Sequence, residues 1–331
     1  MIVCIIGCTG YLGSRISSHL SKKGYQIIGV CRKFPKKNKD FKNFFFKIIE
    51  GDISDKKTQN KIFSFNFNSI IYTVSLNHKD SEIDLNNSLK INYLPLLDIA
   101  SKIAKEKLDV KFIYFSTMQV YGNYAKKRII NESMDIQLNN TYALTHLMCE
   151  NVLSSLSNYS SIQSTSLRLS NGYGYPELKS CDCWWLVIND FCQNIENFGE
   201  IRINSDGSPL RDFIHISDIA NAVERLIKSK KNLPKVMNLA SGKTLSMLEI
   251  ASLVREEFLK KRYNPTIYIQ NKKITDKELE RRIKFIKKLP RFKISNKLTD
   301  NMGIVPKISI REGISDTLEK LRNKNWTIKK Y

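Results

Sequence analysis

The sequence predicts an α/β fold built on a doubly wound parallel sheet, and three observations predict it. The chain opens on a β-branched apolar run, MIVCII, that ends at Gly7, the pattern of a strand buried on both faces. Apolar runs of similar length recur up to residue 170. Segments of helical periodicity separate them, and strands alternating with helices make parallel sheets.

Taken in order, GYLGSRISSHLSKKG reads as a helix ending near Gly24. YQIIGVC, FFFKIIEGD and NSIIYTV read as strands two to four. EIDLNNSLKINYLPLLDIASKIAKE has helical periodicity throughout, and VKFIYFST is a fifth strand. A helix carrying Tyr142 follows, then SIQSTSLRLS as strand six. Beyond Asn171 the pattern is less regular. KVMNLASG is one more strand, a helix starts near Ser246, and Asn271 to Arg291 reads as a basic, solvated helix face.

Composition sets the outer bounds. Hydrophobic residues make up 42% of 331, enough for a substantial core and too many for a disordered chain. The formal net charge of +22 invites an anionic partner: a phosphorylated substrate, nucleic acid or an acidic membrane. Heavy use of Lys, Asn and Ile together, as an AT-rich genome dictates, accounts for the surplus without such a partner. Seven scattered cysteines, with only Cys181 and Cys183 as C-x-C, give no zinc spacing, so no metal is expected. Reduced thiols fit a cytoplasmic protein. The N-terminus lacks a signal-peptide pattern and no apolar run reaches bilayer-spanning length, so membrane insertion is not expected.

Two motifs carry chemistry without further help. Gly7, Gly10 and Gly13 lie between the first strand and the first helix, where a pyrophosphate can approach the helix N-terminus. At the end of strand two, where NAD-selective proteins place an acid for the ribose hydroxyls, the chain has Cys31, Arg32 and Lys33. Two cations suit a 2′-phosphate, so NADP(H) is favoured over NAD(H).

With FIYFSTMQVYG, TYALTH and RDFIHISD, the chain resembles the extended short-chain dehydrogenase/reductase family, NAD(P)-dependent epimerases, dehydratases and reductases of nucleotide sugars. The resemblance runs along nearly the whole chain. The family's G-x-x-G-x-x-G matches Gly7, Gly10 and Gly13, and its adenine-binding acid matches Asp52. Its Y-x-x-x-K matches Tyr142 and, with histidine for lysine, His146. R-x-x-N-x-Y-G matches Arg168, Asn171, Tyr173 and Gly174, and R-D-F-I-H-V-x-D matches Arg211 to Asp218.

The resemblance implies a Rossmann-like doubly wound parallel sheet with a smaller C-terminal substrate-binding domain. Residues 1–168 and about 213–245 would form the first, and 169–212 and about 246–331 the second. It implies catalysis by Tyr142, Thr117 and His146. Tyr11, Leu12, Ile53, Val74 and Asn92 would join the glycines, Arg32, Lys33, Asp52, Tyr142 and His146 at the cofactor, and Thr117, Asn171 and Arg211 would hold a nucleotide sugar. It also implies a homodimer paired through residues 84–106 and 140–157. The activity implied is C4 epimerisation or ketosugar reduction in surface-polysaccharide biosynthesis. The family's 4,6-dehydratases carry Asp-Glu after the catalytic threonine; here stand Met118 and Gln119, which disfavours dehydration. The alternatives are a catalytically silent NADP(H)-binding sensor and, ranked last, an RNA-binding relative; no specific nucleic-acid partner is expected.

His146 is the main departure. A phenol ordinarily titrates near pH 10. A fixed charge about 4 Å away, at an effective dielectric near 20, lowers that by about 3 units. Histidine carries the charge only when protonated, so the expectation is a site retuned by pH, with His146 as a switchable neighbour of Tyr142.

Overall fold

The computed structural model describes residues 1–35, 38–123, 128–260 and 264–323. Its centre is a parallel sheet of seven strands: β1 (Ile2–Ile6), β2 (Gln26–Cys31), β3 (Lys47–Glu50), β4 (Ser69–Tyr72), β5 (Lys111–Thr117), β6 (Gln163–Leu169) and β7 (Val236–Leu239). They lie in the order β7-β6-β5-β4-β1-β2-β3. Strand order reverses between β1 and β4, which opens a crevice at their carboxyl ends. The longer helices are α1 (Tyr11–Lys22), α2 (Leu94–Lys105), α3 (Thr141–Tyr159), α4 (Val187–Phe198), α5 (Ile216–Lys228), α6 (Met247–Leu259), α7 (Asp276–Ile286) and α8 (Ile310–Asn323).

Alternate residues of each strand face opposite layers. Val3, Ile5, Ile27, Ile71, Ile113 and Leu167 pack on Ile16 and Leu20 of α1 and Ile219 and Val223 of α5. Cys4, Ile6, Ile28, Ile70 and Phe112 pack on Leu96 and Ile99 of α2 and Cys149 and Leu153 of α3. A second body gathers α4, α6 and α8 around Phe191, Ile195, Val254, Phe258 and Ile314. Two three-stranded sheets serve it. One joins Asn171–Tyr173, Leu210–His215 and Thr244–Ser246; the other joins Glu200–Ile203, Thr266–Ile269 and Lys272–Lys273.

One expected helix is broken. Residues 82 and 83 end a short helix (His78–Ile83), and after Asp84 come Leu85–Ser88, a π-turn at Leu89–Tyr93, and then α2. Asp84 is extended (φ −149°, ψ 113°), and Pro95 sits in the first turn of α2, where its missing N–H costs nothing. The helix expected near Ser246 starts there on a reciprocal cap between Ser246 and Glu249.

Glu150 of α3 and Arg168 of β6 form a buried ion pair at 2.7 Å, with side chains 2% and 5% exposed. Ser116 of β5 donates to the same carboxylate at 2.5 Å. Substituting Glu150→Gln leaves the guanidinium without its countercharge, and the expected loss is about 3–5 kcal/mol in urea unfolding. The exposed Lys102–Glu106 pair is the control: Glu106→Gln should cost less than about 1 kcal/mol.

Candidate active site

The turn after β1 is shaped by missing side chains. Gly7 has φ +90°, and a Cβ there would lie 2.5 Å from Thr73 Oγ1. A Cβ on Gly13 would lie 2.1 Å from the Gly7 carbonyl oxygen, so only glycine lets α1 pack this closely on the turn. Gly10 precedes α1, no side chain caps it, and its first turn holds no acid. Such an N-terminus is suited to a phosphate.

A cleft of about 640 Å³ runs from this turn across the ends of β1, β2 and β4. Gly7, Gly10, Arg32, Lys33, Asp52, Ile53 and Val74 line it. Arg32 and Lys33 are exposed on its wall. Asp52 accepts the Ser54 N–H at 2.8 Å, and that bond, with Arg32 contributing, holds its carboxyl below the usual range. Cradle, flanking cations and carboxylate together fit a dinucleotide.

A second cleft of about 580 Å³ is lined by Tyr11, Leu12, Gly13, Thr117, Tyr142 and Asn171. It shares Gly10, Arg32, Thr73, Ser75, Leu76 and Asp182 with the first, so the two are one trough. Tyr142 lies in the first turn of α3, which Asn140 caps by accepting the Ala143 N–H at 2.7 Å. Thr117 ends β5 and accepts the Gln119 N–H at 3.2 Å. Gln119, standing where the dehydratases have an acid, instead ties down Asn140 at 3.1 Å. Tyr142 has a cleft-facing edge, yet burial pushes its phenol up to about 12.

The pH switch expected of His146 does not survive this geometry. The ring is 2% exposed, and burial drives its pKa down to about 3. Nε2 of His146 hydrogen-bonds Ser75 Oγ at 3.3 Å, and the Ser75 hydroxyl also reaches Leu76 O at 2.8 Å. Nδ1 hydrogen-bonds the Tyr114 hydroxyl at 2.6 Å. His146 is a buried neutral imidazole, edge-on to Tyr142 at 4.4 Å between ring centroids.

Two other expected site residues lie outside the walls of both clefts. Asn92 is buried at 1% exposure; it accepts the Leu76 N–H at 2.7 Å and donates to Thr145 at 3.1 Å, so it braces the cleft loop from behind. Arg211 is exposed, and its guanidinium donates to Leu210 O at 2.9 Å. Conversely, His78, Ser75 and Trp185 line the second cleft, and none of the sequence motifs marks them as site residues. Trp185 is 55% exposed, and the doubled aromatic in CDCWWL was the one available signal.

The model of the NAD dependent epimerase/dehydratase family matches residues 3–240. A protein of Methanocaldococcus jannaschii aligns over 98% of this chain and 100% of its own length at 24% identity. The UDP-glucose 4-epimerase of Mycoplasma genitalium is 25% identical over 79% of this chain and 83% of its own. The solved UDP-glucose 4-epimerase of Thermotoga maritima, with UDP-glucose, superposes with a TM-score of 0.80 at 21% identity, covering 98% of this chain and 99% of that one. MoeE5 in complex with UDP-glucose and NAD gives 0.79 at 18% identity, covering 98% and 99%. These structural likenesses concern the fold.

Burying a neutral His146 ties stability to pH. The unfolded imidazole takes up a proton below about pH 6.5. The folded one resists until about pH 3. Because the folded-state value is the lower one, the stabilisation is intact above about pH 6.5 and is withdrawn as pH falls toward 3. At pH 5 the loss from this residue should be about 2 kcal/mol. His215, lowered to about 4 by burial, adds to the decline. Thermal unfolding between pH 7 and 5 should therefore drop less steeply for His146→Asn than for the wild type. Parallel curves would show that His146 is not held neutral.

Proposed function

The chain belongs to the NAD dependent epimerase/dehydratase family, and from that premise we propose that it carries out NAD(P)-dependent oxidoreduction at C4 of a nucleotide-activated hexose, as an epimerase, for surface-polysaccharide synthesis. One observation carries this reading: Tyr142 and Thr117 open on a cleft continuous with the glycine-turn cleft. A proton donor and acceptor thus stands within the same trough as a site shaped for a dinucleotide.

Tyr142 would exchange a proton with the sugar hydroxyl, and Thr117 would hydrogen-bond the same oxygen and fix its line of approach. Asn171 lines the same wall, held by its bond to Asp212 O at 2.8 Å, and would meet the substrate's diphosphate. Arg211 would have to swing in from the surface to join it. The cofactor, when bound, supplies hydride exchange and, in its oxidised form, the positive charge that the chain omits at position 146. Neutral His146 is assigned a positioning role: it orients Ser75, which lines both clefts. Arg32 and Lys33 support NADP(H) over NAD(H), and an exchangeable NADP(H) would favour a second reading, ketosugar reduction. Ile83, Leu85 and Leu94, at 81%, 46% and 46% exposure, support pairing of this face with a second copy.

The test is turnover of UDP-hexoses and UDP-4-ketohexoses by the purified chain. Tyr142→Phe should cut the rate by roughly a hundredfold or more while cofactor affinity holds. Dinucleotide binding with no turnover across the panel would favour a silent sensor. Arg32→Ala should weaken NADPH roughly tenfold or more and NADH little; tighter NADH than NADPH binding by the wild type would reject the NADP(H) preference. Sedimentation velocity should give a dimer, which Ile83→Lys dissociates; a wild-type monomer at micromolar concentration would exclude the pairing.

A further inference from the structure

Helix α7 carries more positive charge than its packing requires. Leu279, Ile283 and Ile286 turn toward the core of the second body. On the opposite side, Lys277, Arg281, Lys284 and Lys288 recur at steps of four, three and four, so they form one stripe along the helix and the turn that continues it. All four are exposed. Among the described residues none of them has an ion-pair partner. Two of the helix's carboxylates are engaged elsewhere: Asp276 pairs with Arg255 and Glu278 with Arg282, each at 2.7 Å. Glu280 is exposed beside the stripe. Like charges three and four residues apart repel, so the stripe weakens the helix unless something anionic meets it.

Three further observations bear on what that is. Phe285 stands beside the stripe at 65% exposure. A hollow of about 350 Å³ opens between Arg281, Arg282, Phe285 and Ile286 on one side and Asp206 and Ser208 on the other. The Asp206 carboxylate in its wall is already bound by Ser208, through N–H at 3.0 Å and Oγ at 2.8 Å. Finally, ten of the 23 residues from Asn271 to Lys293 are basic and three acidic, several times the chain's average charge density, so AT-rich composition alone does not explain it.

We propose that α7 and the turn after it form a docking surface for a bilayer carrying anionic headgroups. The four cations meet the headgroups and Phe285 enters the interface between them. Association is peripheral, since no helix among the described residues is long and apolar enough to cross a membrane. A membrane is favoured over nucleic acid because single-strand binders stack bases on several aromatics along a groove, whereas this stripe offers one phenylalanine on a helix face.

The experiment is co-sedimentation of the full chain with phosphatidylcholine vesicles, with and without about 30% phosphatidylglycerol, at about 0.1 M and about 0.5 M salt. Binding should require the anionic lipid and be released by high salt. Lys284→Ala and Lys288→Ala should each lower partitioning roughly fivefold, and Phe285→Ser roughly tenfold. Retained dinucleotide binding shows that the variants fold. Lys57→Ala and Lys61→Ala each remove the same single charge from another exposed helix and should change nothing. Equal binding to neutral and anionic vesicles, or equal losses from the control and stripe variants, would overturn the proposal. So would an RNA oligonucleotide that binds while vesicles do not, with Phe285→Ser leaving that binding intact.

Discussion

A carboxylate and a guanidinium withdrawn from water hold the elements around the second cleft in one place. Glu150 sits two turns along α3 from Tyr142, Arg168 lies just before Asn171, and Ser116, which donates to the same carboxylate, is next to Thr117. Two elements that present Tyr142 and Thr117, and the strand that leads to Asn171, therefore meet at one buried charge pair. A charge in that position is strongly unfavourable when its partner moves, which ties the relative placement of α3, β5 and β6 to this pair. Arg168 also lies over the Tyr121 ring at 4.7 Å, which extends the restraint to the segment after Thr117.

The site built on this frame holds a neutral histidine beside Tyr142. His146 occupies a position from which a charged side chain would act on Tyr142, but Tyr114 on one nitrogen and Ser75 on the other leave it neutral. Burial then drives the phenol upward and the imidazole downward together, since each is denied its charged form by the same low-dielectric surroundings. Without ligands, then, the Tyr142 phenol keeps its proton at neutral pH. What histidine keeps is geometry: a chain of three hydrogen bonds from Tyr114 to Leu76 that ends at the cleft wall.

Much of the fold was legible because it is written in local signals. Most strands of the central sheet are covered on both faces and stand out as short apolar runs; the half-exposed edge strand β3 and the polar-rich β6, QSTSLRL, are the weaker signals. The glycine turn was legible because close backbone approach excludes every other residue at Gly13, and Tyr142, Thr117 and Asn171 do line one cleft. The small sheets of the second body were not legible, because strands such as Asn171–Tyr173, Glu200–Ile203 and Thr244–Ser246 are short and carry too few apolar residues to stand out as runs. The break between residues 83 and 94 was hidden for a related reason: Asp84 and Pro95 interrupt the backbone without disturbing the apolar spacing.

The sequence by itself determined which residues could do chemistry and that strands alternating with helices build the parallel sheet that gathers them, because both depend on residue type and local periodicity. Tertiary structure alone decided what state those residues are in. Asn92 turned away from the cleft because Leu76 and Thr145 use its amide, and Arg211 stayed outside because a neighbouring carbonyl holds its guanidinium. His146 lost its charge because α3 presses it into the β5 layer, out of water. Desolvation and partner geometry are sums over segments distant in the chain, so no single stretch of sequence contains them.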